Sequence, residues 1–304
     1  MGKQKILAIV GPTGIGKTSL SVWLAKQFNG EIISCDSMQV YKKMDIGTAK
    51  VTKDEMEGIH HELIDVQEYN EAYNVKVFQE KCRTAIKDVV KRKKFPILCG
   101  GTGLYLKAAL YDYEFQEEKE DEAFKEYLNS KSNEELVKML EEQDKKALEK
   151  IHPNNRKRLI RALQICHSGT SKSEQEDKQK HIPLYDVYFL GLDVNREILH
   201  DRINKRVDIM FENGLVREAE ELFSDPQTWD YTSFQGIGYK EFKDYFLGEK
   251  NLDEVKTAIK THSRQYAKRQ YTWFKNQMPV HWFEAQNRDE IYSAVKEWLM
   301  DEDK

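Results

Sequence analysis

Short apolar runs alternate along this chain with longer stretches in which apolar residues recur every three or four positions. Residues 5–10 (Lys-Ile-Leu-Ala-Ile-Val), 31–35 (Glu-Ile-Ile-Ser-Cys), 95–99 (Phe-Pro-Ile-Leu-Cys), 184–193 and 280–284 are strand-length and read as buried strands. Helical spacing marks residues 17–28, where Leu20, Leu24 and Phe28 recur. It also marks about 74–93, 103–110, 196–212, 214–223, 252–275 and 288–300. Gly214, following Phe211-Glu-Asn, reads as the residue just beyond a helix C-terminus. Alternating strands and helices predict an α/β fold, a mostly parallel sheet with helices on both faces.

Residues 112–183 break the alternation and divide the chain into a core (1–111 and 184–304) and an inserted helical domain (112–183). No buried strand is legible in the insertion. It opens on the acidic run 117–122, and Leu128, Leu136, Leu140, Leu148, Leu159 and Leu163 predict short amphipathic helices. Residues 168–173 (Ser-Gly-Thr-Ser-Lys-Ser) and the charged stretch to Lys180 read as a mobile loop.

Composition narrows the class. At 304 residues with 33% charged, the chain has room for a full α/β domain and an insertion, with a heavily solvated surface. No run approaches the ~18 apolar residues of a membrane span. Met1 leads almost directly into the first strand, so no leader peptide is expected. Cys35, Cys82, Cys99 and Cys166 form no metal-ligand spacing, which predicts free thiols, no structural zinc and a cytoplasmic protein. His60 and His61 are adjacent and point apart in any regular element, so no joint metal site is expected from them.

The strongest chemical signal lies between the first strand and first helix. Residues 11–18 read Gly-Pro-Thr-Gly-Ile-Gly-Lys-Thr, a complete match to the G-x-x-x-x-G-K-[ST] phosphate loop in the context that loop requires. Backbone amides of Gly11, Thr13, Gly14, Ile15 and Gly16 can turn around a phosphate. Lys17 adds a full charge, and the Thr18 hydroxyl can ligate Mg²⁺. The sheet is therefore expected to be the core of a P-loop NTPase-like fold. In such sheets ligands gather at the carboxyl ends of strands. Asp36 ends the second strand, poised as a general base or beside Mg²⁺, followed by Ser37, Met38 and Gln39. Gly100, Gly101 and Gly103 follow the third, with Thr102 between them offering a hydroxyl. No mid-chain strand ends in a second carboxylate, which argues against a motor ATPase.

Net charge is −4, yet cations are segregated. From Val255 to Phe283 there is no acidic residue, while Lys256, Lys260, Arg264, Lys268, Arg269 and Lys275 occur among Tyr266, Tyr271, Trp273 and Phe274. Arg156, Lys157, Arg158 and Arg161 cluster in the insertion. One-signed charge of this kind predicts a polyanionic partner, while the aromatics are expected to pack the core. Arg202 and Arg206 are one helical turn apart. A guanidinium there can meet a diphosphate, or pair with Asp201 or Asp208.

Taken in order, these motifs resemble the bacterial tRNA dimethylallyltransferase (tRNA isopentenyltransferase) family. The matching stretches are residues 11–18, 36–41 (Asp-Ser-Met-Gln-Val-Tyr), 44–50 (Met-Asp-Ile-Gly-Thr-Ala-Lys) and 60–65 (His-His-Glu-Leu-Ile-Asp). They continue with 100–105 (Gly-Gly-Thr-Gly-Leu-Tyr), 152–162, 235–241 (Gln-Gly-Ile-Gly-Tyr-Lys-Glu) and 264–270 (Arg-Gln-Tyr-Ala-Lys-Arg-Gln), with Trp273 beyond. The departure is Val51, where the pattern has proline. The resemblance implies transfer of a dimethylallyl group from dimethylallyl diphosphate to the exocyclic amine of the adenosine 3′ of the anticodon in tRNA. It implies Asp36 as general base, with Thr102 and Arg206 beside it in the catalytic set, and Thr13 to Thr18 holding the diphosphate. Asp36, Ser37, Met38, Gln39 and Thr102 would contact the target nucleotide. Lys157, Arg158, Leu159, Ile160 and Arg161, with Gln235, Gly236, Ile237, Gly238, Tyr239 and Lys240, match segments that contact tRNA. Mg²⁺ is the implied cofactor, a monomer with no obligate protein partner is expected, and the insertion would grip the anticodon stem. On the residues alone, a P-loop small-molecule kinase using ATP and a nucleotide-dependent RNA-binding protein stay open.

Overall fold

Six strands, β1 (Lys5–Val10), β2 (Gly30–Ser34), β3 (His61–Glu62), β4 (Phe95–Gly100), β5 (Asp186–Asp193) and β6 (Val280–Glu284), form one sheet in the order β3-β2-β4-β1-β5-β6. Every pairing is parallel. This computed structural model describes residues 2–115 and 121–301; most of the acidic run at 117–122 lies outside them. The sheet and the phosphate loop after β1 make a P-loop NTPase-like fold. Register sets the site: Val10 pairs with Gly100 and Gly191, and Ser34 with Cys99. The C-terminal ends of four strands are therefore level, and the loops after β1, β2 and β4 leave the sheet along one edge. β3 is absent from the sequence expectation because two polar residues carry no periodicity.

Both faces of the sheet are buried, so successive β1 residues serve different cores. Ile6, Ala8 and Val10 join one cluster, and Leu7 and Ile9 the other. The second cluster is closed by α1 (Lys17–Gln27) and α13 (Arg288–Met300). The short α2 (Lys53–Met56) is capped by Thr52 and buries nothing. The first cluster is closed by α3 (Val75–Lys91) and α4 (Gly103–Leu110) and, after the insertion, by α9 (Arg196–Glu212) and α10 (Leu215–Leu222). Gly214, at φ 97°, separates α9 from α10 as the sequence predicts. Three 3₁₀ turns (Pro226–Thr228, Thr232–Gln235, Lys240–Phe242) and α11 (Lys243–Phe246) lead to the long α12 (Leu252–Gln277). Asn251 starts α12 through a capping box with Glu254.

The chain divides into two compact units, Met1–Tyr111 with Pro183–Lys304, and Asp112–Ile182. The smaller holds α5 (Glu122–Asn129), α6 (Asn133–Leu148), α7 (Arg156–His167) and α8 (Lys172–Lys178) around Leu128, Leu136, Leu140, Leu159 and Leu163. Helix α8 corrects the loop expected at 168–180. Its sequence, Lys-Ser-Glu-Gln-Glu-Asp-Lys, has no apolar position to betray a helix. It forms because Ser171 and Glu174 make a capping box and buried Asp144 accepts from the Ser173 amide (2.9 Å) and hydroxyl (2.7 Å).

Candidate active site

The phosphate loop wraps the head of α1. Gly14 (φ 79°) and Gly16 (φ 104°) take left-handed conformations open to glycine at little cost, and a Cβ on Gly14 would stand 3.0 Å from Ile203 Cγ1. No side chain caps α1, so its first amides are left for a ligand. Thr13, Gly14, Gly16, Lys17 and Thr18 line a cavity of about 260 Å³. Ile15 does not: it is 1% exposed and packs into the core behind the loop. Gly11 lies beneath, against the end of β5. Lys17 Nζ donates to the Pro12 carbonyl (2.8 Å). Burial pushes its pKa down to about 8, against the opposing pull of Cys99 and Asp36.

A second cavity, about 320 Å³, adjoins the first. Ser37, Met38, Gln235, Gly236, Ile237 and Lys240 line one side, and Ile203, Val207, Met210 and Ile259 make an apolar side. Thr13, Asp36, Thr48 and Arg206 line both cavities and so form the wall between them. Gln39 faces only the first, where its amide donates to the Ala49 carbonyl (3.0 Å).

Asp36 sits in that wall at the end of β2. Its Oδ1 accepts from the amides of Met38 (2.8 Å) and Gln39 (3.2 Å), and Oδ2 takes no protein hydrogen bond among the described residues. One oxygen shapes the turn and the other is left for a reacting group. Arg206 reaches the wall from α9. Burial lowers its pKa, while Asp36 and Glu55 oppose that and favour the charged form. The alternative of an ion pair with Asp208 does not arise, because Asp208 is held by Lys256 and Lys260 (2.7 Å each). Arg202 is exposed, with a long contact to the Ile15 carbonyl (3.4 Å).

Thr102 lines neither cavity. It stands at the head of α4, close to Tyr266, which does line the second cavity. The glycines around it pack against protein where a side chain would stand, although Gly100 also lines the first cavity. A Cβ on Gly100 would meet the Cys35 carbonyl oxygen at 2.3 Å, and one on Gly103 would meet Trp273 at 2.0 Å. Within 235–240, Gly238 and Tyr239 also differ from expectation. Tyr239 is fully buried, so its ring has no face for RNA, and its hydroxyl donates to Glu218 (2.6 Å). Glu218 further accepts the amides of Asp45 (2.9 Å), Ile46 (2.8 Å) and Gly47 (3.0 Å), fixing the loop that carries Thr48. Gly238 is buried against Gly47, whose carbonyl oxygen a Cβ would meet at 2.5 Å.

In the insertion, Lys157, Arg158 and Arg161 are exposed on α7 and Ile160 is half-buried. Leu159 is fully buried in that unit's core, so it supports the helix instead of touching a ligand. Arg156 is likewise structural, bonding Asn133, Leu128 and Asn129. On α12, Lys256 and Lys260 share the one carboxylate of Asp208, while Lys268 and Arg269 are exposed and Arg269 borders the second cavity.

The first cavity offers hydroxyls of Thr18 and Ser34 and the Asp36 carboxylate, with the Cys99 thiol of β4 beside them. Few hard oxygens suit a cation that keeps most of its waters, as Mg²⁺ does. His61 also lines this cavity. Its Nδ1 lies 2.9 Å from the Ile59 carbonyl and carries the proton, and its buried Nε2 is an acceptor with no protein partner. Such an orphaned acceptor fits a water of a hydrated cation. His60 instead bonds Glu62 (3.1 Å). Glu31, His60 and Glu62 bring their ligand atoms within 4.8 Å, but Arg92 already pairs with Glu31 (2.6 Å) and Glu62 (2.8 Å).

Comparison with known proteins bears on what the two cavities serve. A model of the IPP transferase family matches residues 39–277. This chain belongs to the IPP transferase family. The tRNA dimethylallyltransferase of Bacillus cytotoxicus is 48% identical over 97% of this chain and 94% of its own length. That of Bacillus pumilus is 45% identical over 96% of both. Among solved structures, the full-length tRNA isopentenylpyrophosphate transferase of Bacillus halodurans superposes with a TM-score of 0.75 at 42% identity, covering 98% of this chain and 97% of that one. A eukaryotic dimethylallyltransferase acting on tRNA gives 0.81 at 32% identity, covering 98% of this chain and 78% of its own.

For an IPP transferase, the low Lys17 pKa has a measurable consequence. An anion beside Lys17 favours its charged form, so diphosphate binding takes up a proton when the empty site is deprotonated. Affinity for a diphosphate held beside Lys17 is therefore expected to be full below the free-site value of about 8 and to fall as pH rises through it. The loss approaches about tenfold per unit until the complex itself titrates. Titration calorimetry in buffers of different ionisation heat should register proton uptake just above pH 8, and Lys17→Met should abolish it.

Proposed function

We propose that this enzyme transfers the dimethylallyl group of dimethylallyl diphosphate to the exocyclic amine of the adenosine 3′ of the anticodon in tRNA, giving N6-isopentenyladenosine and diphosphate. The observation that carries this reading is the shared wall: Asp36 and Arg206 stand between a phosphate-loop cavity and a half-apolar cavity. Donor and acceptor can meet across it.

In the transfer, the amine nitrogen forms a bond to the allylic carbon as the carbon–oxygen bond breaks. The electron pair leaves on the diphosphate. An adenine amine is a poor nucleophile, so its proton must go to a base as the new bond forms, and Asp36 Oδ2 receives it. Lys17, Arg206 and the amides at the head of α1 stabilise charge on the leaving diphosphate. Mg²⁺, held by Thr18 with Asp36 and Ser34 nearby, would supply further neutralisation of that charge. The target base must leave its stack to enter the second cavity. Exposed Lys157, Arg158 and Arg161 of the insertion, and Lys268 and Arg269 of α12, are assigned to the tRNA backbone. With tRNA as acceptor, the cytoplasm is the expected compartment. No helix among the described residues is long and apolar enough to cross a membrane.

The kinase alternative differs in what must fit beyond the phosphates. Ile203, Val207, Met210 and Ile259 suit a branched five-carbon chain, and burying it is worth about 2–4 kcal/mol. Dimethylallyl diphosphate is expected to bind more tightly than ATP in parallel calorimetric titrations with Mg²⁺, and ATP to support no phosphoryl transfer. Tight ATP binding with negligible affinity for the allylic diphosphate would favour a kinase.

A further inference from the structure

Helix α12 carries more than surface charge to the site. Gln270 on its inner side is only 6% exposed, and both ends of its amide are spent on loops of the site. Oε1 accepts the Thr13 amide (2.8 Å), and Nε2 donates to the Gly101 carbonyl (3.0 Å). Thr13 belongs to the wall between the two cavities, and Gly101 precedes Thr102. The fit is tight, since a Cβ on Gly101 would lie 2.0 Å from Nε2. One turn earlier, Tyr266 lines the second cavity, close to Thr102 and Gln270. Its sequence neighbours Lys268 and Arg269 are exposed.

We propose that Gln270 is a positioning residue that ties the acceptor-side helix to the diphosphate loop. A phosphate loop binds through the direction of its amides, so whatever fixes Thr13 fixes the entrance of the anion cradle. By taking the Thr13 amide for itself, Gln270 withholds that donor from the ligand and sets where the remaining amides point. Its second bond sets the loop of Thr102 at the same height. A buried amide satisfied at both ends has one arrangement, and a side chain that is shorter or apolar cannot reproduce it. Gln270 thus acts through Thr13 and Gly101 rather than on the reacting atoms. The inference rests on the prenyl-transfer reading above.

The test is Gln270→Met, which keeps the length and removes both hydrogen bonds. Donor affinity is read by titration with dimethylallyl diphosphate and Mg²⁺, acceptor affinity by titration with unmodified tRNA, and chemistry by single turnover. Donor affinity should weaken about tenfold and the single-turnover rate fall by about tenfold or more, with tRNA affinity within about twofold of wild type. Should Q270M not fold, Q270N is read the same way, since it keeps the amide but is one methylene short of spanning both loops. A folded variant with unchanged donor affinity and rate would overturn the inference. So would equal losses for donor and tRNA accompanying a lowered melting temperature, which mark a purely structural role. A wild-type protein that binds no donor would instead overturn the functional reading and this inference with it, which separates the two failures.

Discussion

Replacing Asp36 by alanine is expected to slow transfer by about 10²–10⁴-fold, the usual cost of losing a general base, while tRNA still binds. Alanine also removes the acceptor that orders the turn at Met38 and Gln39, so Asp36→Asn is the sharper substitution. Asparagine keeps an oxygen for both amides and the shape of the side chain, but its amide cannot accept the proton from the adenine amine. If Asp36 served only the turn, the asparagine variant would turn over near the wild-type rate. If it is the base, D36N and D36A fall together. Single-turnover measurements at saturating donor and tRNA distinguish the two.

Arg206→Ala is expected to produce the other large loss, in donor use. Arg206 is the guanidinium of the shared wall, and burial raises the cost of keeping it charged until an anion arrives. Charge-assisted contacts are worth about 1.5–3 kcal/mol, or about 10–150-fold. Because charge builds on the leaving oxygen as the bond lengthens, the loss should appear in kcat as well as in the KM for the donor. Arg206→Lys keeps the charge without the planar fork and should recover only part of it. Steady-state kinetics that are unchanged in Arg206→Ala would remove Arg206 from the reaction.

What the sequence made legible follows from the range of the interactions involved. The phosphate loop is contiguous, and its chemistry needs residues at fixed offsets, so residues 11–18 could be read without a fold. Asp36 was legible because a carboxylate that ends an apolar strand of a parallel sheet stands at the ligand-binding end of that sheet. Five strands showed as apolar runs, whereas β3 has two residues and no period. Helix α8 had no apolar stripe, although Ser171 and Glu174 at capping-box spacing were there to be read.

The supports of the site were not legible, because each joins segments distant in sequence. Glu218 reaches back to the amides of Asp45, Ile46 and Gly47, and Gln270 reaches Thr13 and Gly101. Nothing local marks Glu218 as more than a polar residue of an amphipathic helix, and although Gln270 closes the 264–270 motif, nothing in it tells which loops the side chain holds. The same limit accounts for Tyr239 and Leu159. Both lie in motif stretches expected to touch RNA, but tertiary packing buries the two side chains. Only exposure separates a residue that touches a ligand from one that holds its neighbour in place.

The most direct measurement is of the transfer itself. Purified protein is incubated with dimethylallyl diphosphate labelled in the allylic group, Mg²⁺ and unmodified tRNA, and the tRNA is digested for nucleoside analysis. The expected result is label in N6-isopentenyladenosine at the position 3′ of the anticodon, with one diphosphate released for each group transferred. Unlabelled tRNA from a folded protein that binds both substrates, or phosphoryl transfer from ATP in its place, would contradict it.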